Sequence, residues 1–167
     1  TEHVEELRDR PLLLSHGWPG SVAEFLDVLG PLSDPAAHGG DRADAFHVIA
    51  PSLPGYGFSG PTGEQGYGVR EIADAFAELM NRLGYDSYLA QGGDWGALIT
   101  ALLGAHYPDR VDAIHTNLLF VKPSSIADPM ELLGEQGTAD YRETKEFREH
   151  ETGYQEIQST KPQTLAY

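Results

Sequence analysis

The run Gln91-Gly92-Gly93-Asp94-Trp95-Gly96-Ala97 constrains this chain more than any other, because a charged residue stands there among glycines and an alanine between two apolar segments. Tyr88 to Gln91 reads as a short strand, and Ala97 to Tyr107 as a buried helix stopped by Pro108. A chain that turns sharply from strand to helix folds back on itself, so side chains larger than Gly or Ala beside the corner collide. The corner residue then stands clear of the backbone. Free N–H groups and the helix dipole stabilise negative charge at a helix start, which keeps a carboxylate there available as a nucleophile rather than as an acid. The plain structural alternative is that Asp94 caps its own helix, since Asp is a favoured N-cap.

A second corner lies upstream. Pro11-Leu12-Leu13-Leu14-Ser15 is an apolar run of buried-strand type, followed by His16-Gly17-Trp18-Pro19-Gly20-Ser21. Trp18 offers a backbone N–H at the carboxyl edge of a parallel sheet, and Trp95 offers another from a neighbouring edge. Two such donors form an anion hole for the oxyanion that develops when an ester is attacked. A lone His-Gly pair is most simply an ordinary turn, and only its combination with the Asp94 corner gives it weight.

The remaining chain alternates strand and helix. Leu12 to Ser15 and Phe46 to Ala50 read as strands, Ser21 to Leu29 as a helix capped by Ser21, and Ser33 to Ala45 as an exposed loop. Val69 to Leu83 puts Ile72, Phe76, Leu79, Met80 and Leu83 on one core-facing stripe closed by Gly84, and Val111 to His115 reads as a fourth strand. This alternation predicts an α/β fold: a parallel sheet with helices on both faces. After Lys122-Pro123 the chain turns polar, and a boundary near Pro123 divides a core (1–122) from a helical lid (123–167). The charge run from Tyr141 to Glu151 reads as a solvated helical face.

These motifs resemble a known family. His16-Gly17-Trp18-Pro19 is similar to the oxyanion motif of the epoxide hydrolases of the α/β-hydrolase superfamily. Gly92-Gly93-Asp94-Trp95-Gly96-Ala97 resembles their nucleophile elbow, and Gly55-Tyr56-Gly57-Phe58-Ser59 their glycine-rich loop. Glu151-Thr152-Gly153-Tyr154-Gln155-Glu156-Ile157-Gln158 with Thr160-Lys161-Pro162 resembles the cap of the microsomal and juvenile-hormone branch. The resemblance implies an α/β-hydrolase core with the beginning of a helical cap, Asp94 as nucleophile and Tyr154 as the lid's proton or hydrogen-bond donor. It implies Trp18 and Trp95 N–H groups as the oxyanion hole, with His16, Gly17, Pro19, Gly92 and Gly96 supporting the motifs. A phenol suits the donor role because its usual pKa of about 10 keeps it protonated at neutral pH.

Members of that family run on past the point matching Tyr167, supplying a second cap tyrosine, an acid and a histidine, and begin ahead of Thr1. The expectation is a fragment truncated at both ends. His16 belongs to the turn motif, His106 and His115 do not match the family's base, and His3, His38, His47 and His150 have no better claim. The chain alone is therefore expected not to turn over. Two other readings stay open: a haloalkane or haloacid dehalogenase, which shares the aspartate elbow and can hold halide with a Trp at position 95, and a binding module that has lost its chemistry.

Composition narrows the partners. A formal charge of −15 argues against nucleic acid or an anionic membrane surface, which require basic patches. No apolar stretch is long enough to span a bilayer, and the absence of cysteine excludes disulfides and thiolate sites, which suits a soluble cytoplasmic protein. No His/Asp/Glu cluster has ligand spacing and the Gly55 to Gly57 loop lacks a phosphate-binding lysine, so neither metal nor organic cofactor is expected. The implied partners are a small lipophilic epoxide and water.

Overall fold

A computed structural model describes residues 10–63, 65–119 and 134–166. The chain divides into two compact units, Thr1–Val121 and Lys122–Tyr167. The first is built on a four-stranded parallel sheet of β1 (Pro11–Ser15), β2 (His47–Ile49), β3 (Tyr88–Gly92) and β4 (Val111–Thr116) in the order β2-β1-β3-β4. In register, Leu13 lies beside Ile49, Ser15 beside Gly92, and Gly92 beside Thr116.

Strand alternation decides which residues reach which face. Leu13, Tyr88 and Ala90 point to one face, where they bury against α2 (Val69–Arg82) and α3 (Trp95–His106) through Ile72, Phe76, Met80, Ile99 and Leu103. Leu12, Leu14 and Leu89 point to the other face, towards the 3-10 turn Val22–Phe25 and α1 (Leu26–Ser33). Helices thus lie on both faces, as the alternation predicts. Ser21 does cap its segment: its hydroxyl accepts from the Ala23 N–H at 3.3 Å, and Glu24 accepts from the Ser21 N–H at 3.1 Å, a reciprocal capping box.

Several boundaries differ from the sequence reading. The helix after Ser21 opens as a 3-10 turn and runs on to Ser33 through Pro31. Pro31 lies past the first turn of α1, so the helix forgoes one backbone hydrogen bond there, and it ends shortly afterwards. The segment from Ser33 to Ala45 holds two 3-10 turns, Pro35–His38 and Arg42–Asp44, with Pro35 and Ala45 buried. On α2 the buried arc is Ile72, Ala73, Phe76, Ala77 and Met80, while Leu79 is half-buried and Leu83 is 50% exposed. Ala73 and Ala77 are small enough to bring the helix close to its neighbours, which rotates the buried arc towards them and away from Leu79. Leu83 is the C-cap before Gly84 at φ 85° rather than part of the stripe.

The second unit contains α4 (Glu135–Glu151) and α5 (Gly153–Thr160). Most described side chains of α4 are exposed, as the charge run from Tyr141 to Glu151 suggests. The residues from 120 to 133, which include the expected boundary at Pro123, lie outside those described. Among the described residues no helix is long and apolar enough to cross a membrane.

Candidate active site

The sheet order creates the site. The chain passes from β1 outward to β2, then returns to the other side of β1 as β3, so the segments leaving β1 and β3 diverge from adjacent strands. Such a switch point opens a crevice at the carboxyl ends of the strands. The His16-to-Pro19 turn and the Asp94 corner stand on its two sides, and they meet: the Trp18 N–H donates to Asp94 Oδ1 at 2.8 Å.

Asp94 holds the corner at φ 53°, ψ −127°, the one non-glycine residue at positive φ among those described. A side chain kept in such backbone geometry costs on the order of 1–3 kcal/mol, which the surrounding packing must sustain. That packing depends on the small residues. A Cβ on Gly92 would lie 2.1 Å from the Gly96 carbonyl oxygen, and one on Gly96 would lie 2.0 Å from that of Ser15. Strand and helix are in backbone contact there. A Cβ on Gly17 would lie 2.3 Å from Asp94 Oδ1 and 2.4 Å from Asp94 Cβ, so Gly17 vacates the space the carboxylate occupies. The helix starts at Trp95 rather than Ala97, and Asp94 occupies the N-cap position without capping: its side chain makes no hydrogen bond to its own helix.

His16 is buried, and both of its ring nitrogens are engaged. The Leu53 N–H donates to its Nε2 at 3.0 Å, so the ring proton sits on Nδ1 and donates to the Gly17 carbonyl at 2.8 Å. The ring thereby ties the first corner to the loop after β2. It meets Tyr56 edge-on, with centroids 5.8 Å apart. Burial, and after it the negative charge of Asp94, raises the Tyr56 phenol above its ordinary pKa. The Trp18–Pro19 peptide is cis.

The remaining expected residues are placed as follows. Trp95 is first in α3 and 48% exposed; among the described residues its N–H makes no hydrogen bond with Asp94. Tyr154 lies on α5 in the second unit, exposed, its hydroxyl accepting from Gln155 Nε2 at 2.9 Å. Leu53, Tyr56 and Asn117 have no role in the sequence reading, yet all three stand at the two corners. Tyr56 falls within the Gly55-to-Ser59 loop, which was a usable signal; nothing in the local sequence marks the Leu53 amide or Asn117. A cavity of about 590 Å³ lies on the α1 side of the sheet, lined by Leu12, Leu14, Phe25, Val28, Leu89 and His115, and neither Trp18 nor Asp94 lines it. Among the described residues no cluster of His, Asp or Glu is arranged to hold a metal ion.

A strained acidic corner at a sheet switch point, facing a backbone N–H from a His-Gly turn, defines a hydrolase architecture. Residues 10–152 match the alpha/beta hydrolase fold family, and the chain belongs to it. It is 47% identical over 157 residues to a Stigmatella aurantiaca protein provisionally named an epoxide hydrolase, covering 94% of this chain and 35% of that one. It is 41% identical over 171 residues to the juvenile hormone epoxide hydrolase of Bombyx mori, covering 93% of this chain and 35% of the relative. The crystal structure of the Bombyx mori juvenile hormone epoxide hydrolase superposes with a TM-score of 0.73 at 40% identity, over 93% of this chain and 39% of that one. That of the Aspergillus niger epoxide hydrolase gives 0.69 at 32% identity, over 93% and 40%. The chain thus spans little more than a third of the length of the curated relatives it matches.

Proposed function

We propose that this chain carries the nucleophile and anion-binding part of an epoxide hydrolase, with Asp94 as nucleophile. The observation that supports it most is the Trp18 N–H on Asp94 Oδ1 at 2.8 Å together with a carboxylate that does not cap its own helix. One carboxylate oxygen is held, and the other is left to attack.

In this reading Oδ2 attacks an oxirane carbon from behind as the ring C–O bond breaks, and the departing oxygen takes a proton from the Tyr154 hydroxyl. The product is an Asp94 ester bearing a neighbouring hydroxyl. Its carbonyl oxygen is Oδ1, already on the Trp18 N–H. When water attacks the ester carbon, the charge that develops falls on that oxygen, where the Trp18 and Trp95 N–H groups would share it. Collapse expels the diol as its alkoxide, which takes the remaining proton of the added water and so restores the carboxylate, while the proton the base took from that water returns to the Tyr154 phenolate. The water needs a base, and among the described histidines His16 is excluded because both its nitrogens are engaged.

The surroundings suit a lipophilic substrate. Exposed Trp95, Leu118 and Leu119 closely follow the carboxyl ends of β3 and β4, at the edge where Asp94 stands. The named relatives act, by their names, on epoxides, and the dehalogenase alternative is not favoured.

The test is intact-mass measurement after incubation with a lipophilic epoxide such as styrene oxide. The expected result is one covalent adduct of the substrate's mass on the Asp94 peptide, absent in Asp94→Asn, with no sustained diol release. An adduct mapped elsewhere, or none, would overturn the assignment.

A further inference from the structure

Gly93 differs from the other glycines of the corner. Its φ is not positive, so its backbone does not call for glycine. The three atoms nearest a Cβ there all belong to one side chain: it would lie 2.7 Å from Asn117 Oδ1, 3.0 Å from Nδ2 and 3.2 Å from Cγ. Gly93 therefore makes room for the side-chain amide of Asn117. Register explains the meeting: Gly92 lies beside Thr116, so the next residues of the two strands, Gly93 and Asn117, emerge together at the carboxyl edge.

That amide is exposed and, among the described residues, has no hydrogen-bond partner. It is a neutral group with donors and an acceptor, beside the residue that precedes the nucleophile, at a carboxyl edge where Trp95, Leu118 and Leu119 are also exposed. Apolar sites orient their ligands through a few such polar groups. An amide suits this position because it neither competes as a nucleophile nor adds charge beside Asp94.

Resting on the reading of Asp94 as nucleophile, we propose that Asn117 is a specificity-determining residue that hydrogen-bonds a polar atom on the substrate's carbon next to the oxirane. The favoured class is lipophilic epoxides carrying an ether, hydroxyl or carbonyl oxygen at that position, over all-carbon analogues of the same shape.

Phenyl glycidyl ether and 4-phenyl-1,2-epoxybutane differ only by an ether oxygen in place of a methylene. The rate of Asp94 ester formation is measured for both, in the wild-type chain and in Asn117→Leu, which keeps the volume and loses the amide. The wild type is expected to favour the ether about tenfold more than the variant does, the range of one hydrogen bond at a half-open site. Comparing the two ratios cancels the intrinsic reactivity of the ether. Gly93→Ala, which displaces the amide, should reproduce the loss, and the double variant should lose no more. Equal ratios in wild type and Asn117→Leu would overturn the inference. If neither epoxide alkylates the wild type, the nucleophile assignment fails instead. The same comparison is then read from binding of the two matching diols by tryptophan fluorescence, and an unchanged ratio there overturns the role of Asn117 equally.

Discussion

Gly17→Ala tests whether the first corner sets the position of the nucleophile. The added methyl would stand 2.3 Å from Asp94 Oδ1, 2.4 Å from Cβ and 2.7 Å from Cγ. A C···O approach of about 3.3 Å is the ordinary close limit, so the carboxylate must retreat by about 1 Å. Contact with Cβ as well as Oδ1 means that rotating the side chain does not suffice; the His16-to-Pro19 turn and the Asp94 corner must separate. That separation also takes the Trp18 N–H away from Oδ1. A misplacement of about 1 Å in a reacting group costs on the order of 10²-fold in rate, or about 2.7 kcal/mol in barrier height. The expected result is a hundredfold slower ester formation by intact mass at saturating epoxide, with a folded far-UV spectrum. Overpacking a buried turn adds about 1–3 kcal/mol of destabilisation, so rates are compared well below the midpoint of thermal unfolding. A Gly17→Ala chain that alkylates within threefold of wild type refutes the claim that this contact fixes the attacking geometry.

Three further variants probe the costs held in the fold. Asp94→Gly removes a side chain from a strained corner at φ 53° and should raise stability by about 1 kcal/mol, or about 2–4 °C in Tm, while abolishing ester formation. Asp94→Asn keeps the strain and should show no such gain; equal melting of the two variants would remove backbone strain from the account. Tyr88 is fully buried, its hydroxyl has no partner among the described residues, and burial pushes its pKa up to about 12. Folding therefore favours the protonated phenol, so the stability it confers is complete below pH 10 and falls as pH rises from about 10 to about 12. Tyr88→Phe should leave neutral-pH stability unchanged or raise it by about 1 kcal/mol and flatten that alkaline decline, measured by denaturant titration at several pH values. An unchanged alkaline slope would assign the loss to other groups.

The fold was legible because its strands and helices announce themselves by period. β1 and β3 are short apolar runs ending at small residues, and α2 carries an apolar stripe with a glycine stop, so their existence and order follow from local pattern. What local pattern does not carry is the third dimension of each element. Leu83 shares the apolar character of Met80, yet one is exposed and the other buried, because the helix ends between them. The Asp94 corner was likewise legible, since Gly and Ala crowded around one charged residue fit a tight strand-to-helix turn and little else. Of the bonds that complete it, the Trp18 N–H, 76 positions from Asp94, was readable as a donor at this corner, whereas the Leu53 N–H on His16, 37 positions away, was not, since nothing near either residue signals its partner.

The glycines around Asp94 show why such a corner separates folding from chemistry. Gly92 and Gly96 face backbone atoms, so each permits β3, α3 and β1 to touch at all. Gly17 and Gly93 face side chains, those of Asp94 and Asn117. The first pair fixes the architecture and tolerates no side chain without moving a strand. The second pair shapes the cleft: a methyl there first strikes the side chains that line it, and at Gly17 it pushes the two corners apart as well. A run of glycines that looks uniform in sequence therefore contains two kinds of position. The distinction turns on what a methyl group would strike, and that separates residues that make the fold from residues that make a site within it.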